Sequence, residues 1–252
     1  MYQDDEFKCC EQMAPMKYGR YRRRSDGRHI QRYRCKSCKK NWSQARFDPA
    51  YYQKKRHLNH KLMMLLSSSV SMRRSAIILS IHPITVARKL VYLAGQARLK
   101  TAEMMAEEFQ GTNAIQFDEL HTIEHTKCKP LSVAMAVSAD KRKILGFQVS
   151  SMPATGHLAA ISRRKYGKRD DNRLHGMCLL FEQLQAIASP TCRIMSDQCP
   201  FYECVVERYF PKARYAQFKG EKSSLGGQGE LKKVARDPLF AINHSFAMLR
   251  AN

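Results

Sequence analysis

Residues 114–120, AIQFDEL, and residues 131–152, LSVAMAVSADKRKILGFQVSSM, decide the fold. The first reads as a short strand ending near Asp118. The second reads as a hairpin, two apolar runs joined by the charged turn Ala139-Asp140-Lys141-Arg142. Working outward toward the C-terminus, HLAAISRRKYGKRDDNRLHG (157–176) is polar and basic, a loop with helical pieces. MCLLFEQLQAIA (177–188) has helical periodicity, and CRIMSDQC (192–199) is a strand ending in Asp197. FYECVVERYF (201–210) is a helix stopped by Pro211, and ARYAQF (213–218) is a further strand. GEKSSLGGQGELKK (220–233) is a Gly-rich loop, and Asp237-Pro238 opens a last helix. Strands first, with helices interleaved later, predict an α/β domain over residues 112–252, a mixed sheet with helices packed on it.

Upstream of Gly111 the period is helical. TAEMMAEEFQ (101–110) reads as a linking helix. Residues 52–100 hold HLNHKLMMLLSSSV, apolar at Leu58, Leu62, Leu65 and Leu66, then SMRRSAIILSI and IHPITVARKLVYLA. The last runs on as an amphipathic helix through Ile84, Val86, Leu90 and Leu93. Together they predict an all-α helix-turn-helix domain. Ala76 permits close packing, Leu79 and Ile81 flank the turn, and Val86 and Leu90 pack the second helix. Thr85, Arg88 and Lys89 then face outward, toward a major groove.

Residues 1–48 are rich in Cys, Arg, Lys and Tyr and too poor in apolar residues for a core of their own, so a staple is expected. Cys35-Lys-Ser-Cys38 has the spacing by which two thiolates grip one tetrahedral zinc. The upstream thiols, Cys9 and Cys10, are adjacent. Either both turn to the metal, or one ligates while His29 or another group completes the set. Arg20-Tyr21-Arg22-Arg23-Arg24, Arg28 and Arg32-Tyr33-Arg34 interleave cations with aromatics, which suits phosphate contact and stacking, with Arg22, Arg24, Arg32 and Arg34 as the candidate contacts.

The net charge of +22, from 44 Lys+Arg against 22 Asp+Glu, points to a nucleic-acid partner. The blander alternative is a ribosomal-type or membrane-surface basic protein. No run of eighteen apolar residues implies a membrane span, and the opening MYQDDEFKCC lacks a signal-peptide layout. Nine cysteines, an odd number in a chain of 252 residues, fit metal ligation and burial in a reducing cytoplasm better than a disulfide framework. Asp118 and Asp197, both at strand ends, are placed to converge on a sheet edge and hold Mg²⁺. His121, Glu124, His125 and Cys128 are read as packing or substrate contacts, since i and i+4 residues of a strand lie too far apart for one metal.

RYRCKSCKKNWS (32–43), SAIILSIHPITVARKL (75–90), QFDELHTIEHTKCKPLSVAMAV (116–137) and INHSFAMLRAN (242–252), in that order, resemble bacterial insertion-sequence transposases. The relatives are those with an N-terminal zinc ribbon, a helix-turn-helix and a DDE-type catalytic domain of ribonuclease-H-like fold. The resemblance implies one structural Zn²⁺ and two catalytic Mg²⁺ ions. It implies Asp118 and Asp197 as the first two metal ligands and Asn243 as the third, at the position where most relatives carry Glu. Arg250, seven residues on, would contact DNA phosphate. Glu230 is the rival third ligand. The implied partner is double-stranded DNA, both element ends and target, bound by a homo-oligomer in a bacterial cytoplasm, at the nucleoid. The resembled proteins continue past the last helix, so a C-terminally truncated copy is also implied. Two readings stand beside strand transfer: a DNA-binding remnant without catalysis, and a metal-dependent nuclease that does no joining.

Overall fold

A computed structural model describes residues 9–11, 14–219 and 237–251, with only the backbone of Ala251. The chain divides into two compact units, Met1–Thr101 and Ala102–Asn252.

The first unit opens with a three-stranded antiparallel sheet in the order β1 (Pro15–Arg22), β2 (His29–Cys35), β3 (Asn41–Ser43). Its apolar content is as thin as the composition suggests, with Ile30, Trp42, Ala45 and Ala50 buried. A buried ionic knot replaces part of the missing core. The Arg23 guanidinium grips the Asp26 carboxylate through two bonds and reaches Asp48 at 3.6 Å, while Arg56 meets Asp48 at 3.2 Å. The hydrogen bonds from Arg23 hold the Asp26 carboxyl down to about 2. Arg23, one of the cations in the run expected to meet phosphate, is therefore turned inward.

Helices α1 (Asn59–Ser67), α2 (Met72–Ile78) and α3 (Pro83–Glu108) follow. The Ser71 hydroxyl caps α2 by accepting the Arg74 N–H. Leu62, Ala76, Ile81 and Val86 form a small buried cluster, with Leu58, Leu66, Leu79 and Leu93 packed against it. Leu90, expected to pack, is exposed, and so is Ile84. The chain turns through 111° between α2 and α3. The expected linking helix at 101–110 is no separate element: α3 runs on without a break to Glu108, there being no Pro or Gly after Gly95 to stop it. No single helix among the described residues is long and apolar enough to cross a membrane.

Lys89 corrects the expectation that it faces outward. It is 4% exposed, and its ammonium donates to Gln53 Oε1 at 3.0 Å and Asn59 Oδ1 at 2.6 Å. One residue past Arg88 on α3, it lies about 100° further round the helix, which brings it over the segment before α1. Lys89→Ala is expected to lower the stability of this unit by about 1–2 kcal/mol, since it removes two hydrogen bonds to half-buried acceptors. The salt dependence of the expected DNA binding should stay unchanged, whereas Arg88→Ala, at an expected contact, should reduce it. A reduced slope for Lys89→Ala with no loss of thermal stability would return Lys89 to the expected DNA contacts.

The second unit is α/β, a mixed five-stranded sheet with flanking helices, compatible with a ribonuclease-H-like fold. The strand order is β6 (Ile144–Ser151), β5 (Pro130–Ser138), β4 (Thr112–Ile123), β7 (Ala188–Asp197), β8 (Arg214–Phe218). β4, β5 and β6 form the antiparallel meander that the hairpin pattern predicts, and β7 and β8 add in parallel beyond β4. Helices α4 (Leu158–Tyr166), α5 (Arg173–Gln185) and α6 (Tyr202–Tyr209) lie between β6 and β8 in sequence, and α7 (Phe240–Ala251) closes the described chain.

Strand alternation sends Ile115, Phe117, Ala134, Ala136 and Ile194 to one face, where they pack with Met177, Leu180, Phe181 and Leu184 of α5 and Val205 and Val206 of α6. Met135, Val137 and Met195 face the other way, against Leu239, Ala241, Ile242 and Phe246. The Gln116 carboxamide locks this second layer, donating to the Pro238 carbonyl and accepting the Ile242 N–H. α5 sits close on β6 because residue 176 is glycine: a Cβ there would overlap the Ser150 hydroxyl.

Candidate metal centres and nucleic-acid contacts

The first centre is a cluster of four thiols. The Sγ atoms of Cys9, Cys10, Cys35 and Cys38 all lie within 4.8 Å of one another. Cys35 ends β2, and the chain reverses over Lys36–Lys39, with Lys39 N–H bonded back to the Cys35 carbonyl and Cys35 N–H to the Lys40 carbonyl. Lys39 takes the left-handed conformation, φ +63°, which closes the turn and presents Cys38 beside Cys35. Cys10 Sγ lies 3.7 Å from Cys35 Sγ and 3.9 Å from Cys9 Sγ. The adjacent pair thus turns both thiols toward one point, and His29, the alternative ligand, stands outside the cluster at the start of β2. Cys35 is held down to about 5 by backbone hydrogen bonds, that of Ala14 first, while Cys9 is pushed up to about 12, by desolvation first. Four thiols this close suit a structural metal such as zinc, which takes thiolates and would discharge their mutual repulsion.

The second centre is a pair of carboxylates in the second unit. The polar turn of its own segment marks Asp118 as a strand end, but β4 runs five residues further because β5 pairs with it from Ile115↔Ser138 to Ile123↔Pro130. It is the parallel pairing with β7 that stops short, at Gln116↔Met195. Asp118 and Asp197 stand two residues beyond that last pair on their respective strands. They therefore occupy equivalent positions just past the paired part of two adjacent strands and share the face of Gln116 and Met195, on which α7 packs.

Asp118 Oδ1 accepts the Glu119 N–H at 2.6 Å and the Tyr202 hydroxyl at 3.3 Å. Burial, and then the charge of Asp197, push the Asp118 carboxyl up to about 7. Desolvation raises Asp197 too. Asp197 Oδ1 is buried without a hydrogen-bond partner among the described residues. Two half-buried carboxylates that make no salt bridge among the described residues, one of them with an acceptor atom unpartnered among those residues, have the donor chemistry that a divalent cation takes.

Asn243 lies on α7, one residue from the buried Ile242 and three from the buried Phe246. Its Nδ2 donates to Asp237 Oδ2 at 3.0 Å, while Asp237 Oδ1 accepts the Leu239 N–H and opens the helix. The amide nitrogen is thus committed to Asp237. Arg250 is exposed at the far end of α7, its guanidinium 5.9 Å from the centre of the Phe246 ring. Glu230, the rival ligand, lies outside the described residues. Neither His121, Glu124, His125 nor Cys128 belongs to a metal-holding group among the described residues.

Of the expected DNA contacts, Arg22, Arg24 and Arg88 are exposed and Thr85 is half-buried. Arg32 and Arg34 lie on one face of β2 with Tyr18, their guanidinium carbons 5.8 and 5.4 Å from its ring centre. Tyr33 turns the other way and stacks on Trp42. The result is a cation–aromatic face of the kind that meets a phosphate backbone. Residues 1–100 hold 23 of the 44 Lys and Arg but only 6 of the 22 Asp and Glu, so most of the net charge sits in the first unit.

Sequence reading missed Tyr202, which nothing in FYECVVERYF distinguishes from a packing residue. It also missed Glu119, which is 6% exposed at its side chain, accepts the Ser132 hydroxyl at 2.8 Å and faces Arg173 at 4.0 Å. Compared with known proteins, the chain matches no protein-family model and no curated sequence.

Proposed function

We propose that the chain is a DNA transposase: the first unit binds the terminal repeats of a mobile element, and the second cuts and joins DNA strands with the help of Mg²⁺. The observation that carries this reading is the carboxylate pair, Asp118 and Asp197 at matched positions on neighbouring parallel strands, with Asp197 Oδ1 buried and unpartnered among the described residues. A binding module has no evident use for two half-buried carboxylates side by side, whereas two-metal phosphoryl transfer uses such a pair.

Asp118, Asp197 and the amide oxygen of Asn243 would hold the cations. When bound, two Mg²⁺ ions supply the activation of the attacking oxygen and the stabilisation of the leaving one. Tyr202 and the Glu119 amide fix Asp118 through one oxygen and leave the other for ligation. No covalent enzyme intermediate is needed. Asn in place of Glu gives the site two formal negative charges rather than three, so weaker Mg²⁺ binding is expected. In the first unit the four-thiol cluster would hold one Zn²⁺ and shape a zinc ribbon. The four-residue break and 111° turn between α2 and α3 support a helix-turn-helix, whose two helices ordinarily cross at about 90–120°. Assembly on two DNA ends implies at least a dimer.

The bond from Asn243 to Asp237 favours a second reading, a DNA-binding remnant whose third ligand no longer reaches the pair. The test is incubation of the full chain with Mg²⁺ and DNA bearing the ends of the flanking element. Strand cleavage at the ends followed by joining to target DNA is expected. Cleavage without joining would reduce the reading to a nuclease, and neither activity would leave the DNA-binding remnant.

A further inference from the structure

Resting on the reading above, we propose that the second unit carries its own duplex-binding surface, made by α4, the residues just after it and the β4–β5 turn. Lys127, Arg163, Arg164 and Lys168 would take phosphates of a double helix whose reacting strand lies at Asp118 and Asp197.

The cations are concentrated. Residues 124–129 and 157–169 contain seven Lys and Arg against a single carboxylate, Glu124. All of residues 101–252 hold 21 Lys and Arg against 16 Asp and Glu, so this small area accounts for the entire positive excess of the unit. Glu124 is shared by Lys129 at 3.7 Å and Arg169 at 3.8 Å. Lys127, Arg163, Arg164, Lys165 and Lys168 are exposed and make no salt bridge with a carboxylate among the described residues.

The area is also built. Ser162 is 4% exposed and donates to the Cys128 carbonyl at 2.7 Å, which fastens α4 to the β4–β5 turn. Tyr166 forms a platform between them. Lys129 Nζ stands 4.9 Å and Lys165 Nζ 5.4 Å from its ring centre, and the His125 ring meets it edge-on at 6.2 Å. Arg169 is tied to the carbonyls of Pro130 and Met152 at 3.3 Å each, which holds the chain leaving α4.

The position selects the partner. The surface lies at the C-terminal end of β4, beyond Asp118, and Asp118 is five residues from Ile123, where the strand ends. Five residues of strand span about 17 Å, which is about half a turn of a double helix. Duplex DNA is straight over this distance, its persistence length being about 150 base pairs. A duplex that lies along β4 with one phosphate at the carboxylates must therefore pass the cations about five base pairs away.

The experiment measures binding of the full chain to a labelled duplex in Mg²⁺-free buffer from 50 to 200 mM salt. Arg163→Ala/Arg164→Ala/Lys168→Ala removes three cations of the surface. Lys143→Ala/Arg193→Ala/Lys212→Ala removes three from the other end of the sheet. Removing one cation that neutralises a phosphate lowers the log–log slope by about 0.9. The first triple should lower it by about 2.7, so that its deficit against wild type shrinks about 40-fold across this range. The second should leave the slope within about 0.5 of wild type, and Arg163→Lys/Arg164→Lys/Lys168→Arg should restore it. Equal slopes for the two triples, or no change in the first, overturn the surface. Cluster-dependent binding in a protein that cuts nothing with Mg²⁺ keeps the surface and removes the transposase reading. Cleavage with no cluster dependence does the reverse.

Discussion

Asp118→Asn is expected to make the metal-free protein more stable at pH 8 and to abolish Mg²⁺-dependent cleavage. In the folded chain the Asp118 carboxyl is raised to about 7, first by burial and second by Asp197. In the unfolded chain it titrates near its reference value of about 3.9. Between these two values the folded state holds a proton that the unfolded state has given up, so stability falls as the pH rises from about 4 to about 7. Above that the full cost is present. A shift of about three units corresponds to about 4 kcal/mol, and partial access to solvent brings the expectation to about 2–4 kcal/mol. Asn keeps an oxygen to accept the Glu119 amide and the Tyr202 hydroxyl and removes the charge. At pH 8 the variant should therefore melt about 5–15 °C above wild type, and at pH 4 the two should coincide. Mg²⁺ should raise the melting temperature of wild type and leave the variant unmoved. If Asp118→Asn is neutral or destabilising at pH 8, the repelling pair is absent in solution, and with it the physical basis of the metal site.

Cys35→Ser is the other substitution with a large expected effect, and it acts on the first unit alone. The three-stranded sheet buries Ile30 and Trp42 and little else of size. At about 1.5–3 kcal/mol for each fully buried large side chain, such a core does not offset the ordering of some thirty residues, each costing about 1–2 kcal/mol. A structural zinc contributes about 10–16 kcal/mol at neutral pH, enough to decide whether β1–β3 form. Removing Cys35, the buried thiol at the end of β2, should abolish the expected zinc binding and expose the backbone amides of β1–β3 to rapid hydrogen exchange. Protection of Phe117 and Ile194, in the other unit, should persist. Wild type should carry one zinc per chain. Less than half an equivalent, unchanged by Cys35→Ser, would mean that the four thiols are packed without a metal and that the Arg23–Asp26–Asp48–Arg56 knot holds the sheet.

Much of this architecture is legible in the sequence because it depends on local pattern. The apolar runs LSVAMAV and ILGFQV and the charged turn between them specify a hairpin from neighbours in sequence. The helical spacing of MCLLFEQLQAIA and the break at Pro211 are likewise properties of neighbours in sequence. Cys35 and Cys38 suggest a metal by spacing alone, and Asp118 and Asp197 each follow a short apolar run that reads as a strand.

What the sequence could not determine depends on residues far apart in it. That Cys9 and Cys10 both reach Cys35 follows from the β1–β2 register, and periodicity does not encode the register of a sheet. Lys89 is indistinguishable from Arg88 in a string of letters. One turns outward and the other inward because Gln53 and Asn59, thirty or more residues away, supply acceptors on one side of α3. Asp118 reads as a strand end because its own segment turns polar there, yet the pairing of β5 carries the strand on to Ile123. The parallel pairing of β4 with β7 sets the two aspartates side by side across 79 residues of chain. Burial and the neighbouring charge then push the Asp118 proton affinity to about 7, a property that neither residue has on its own.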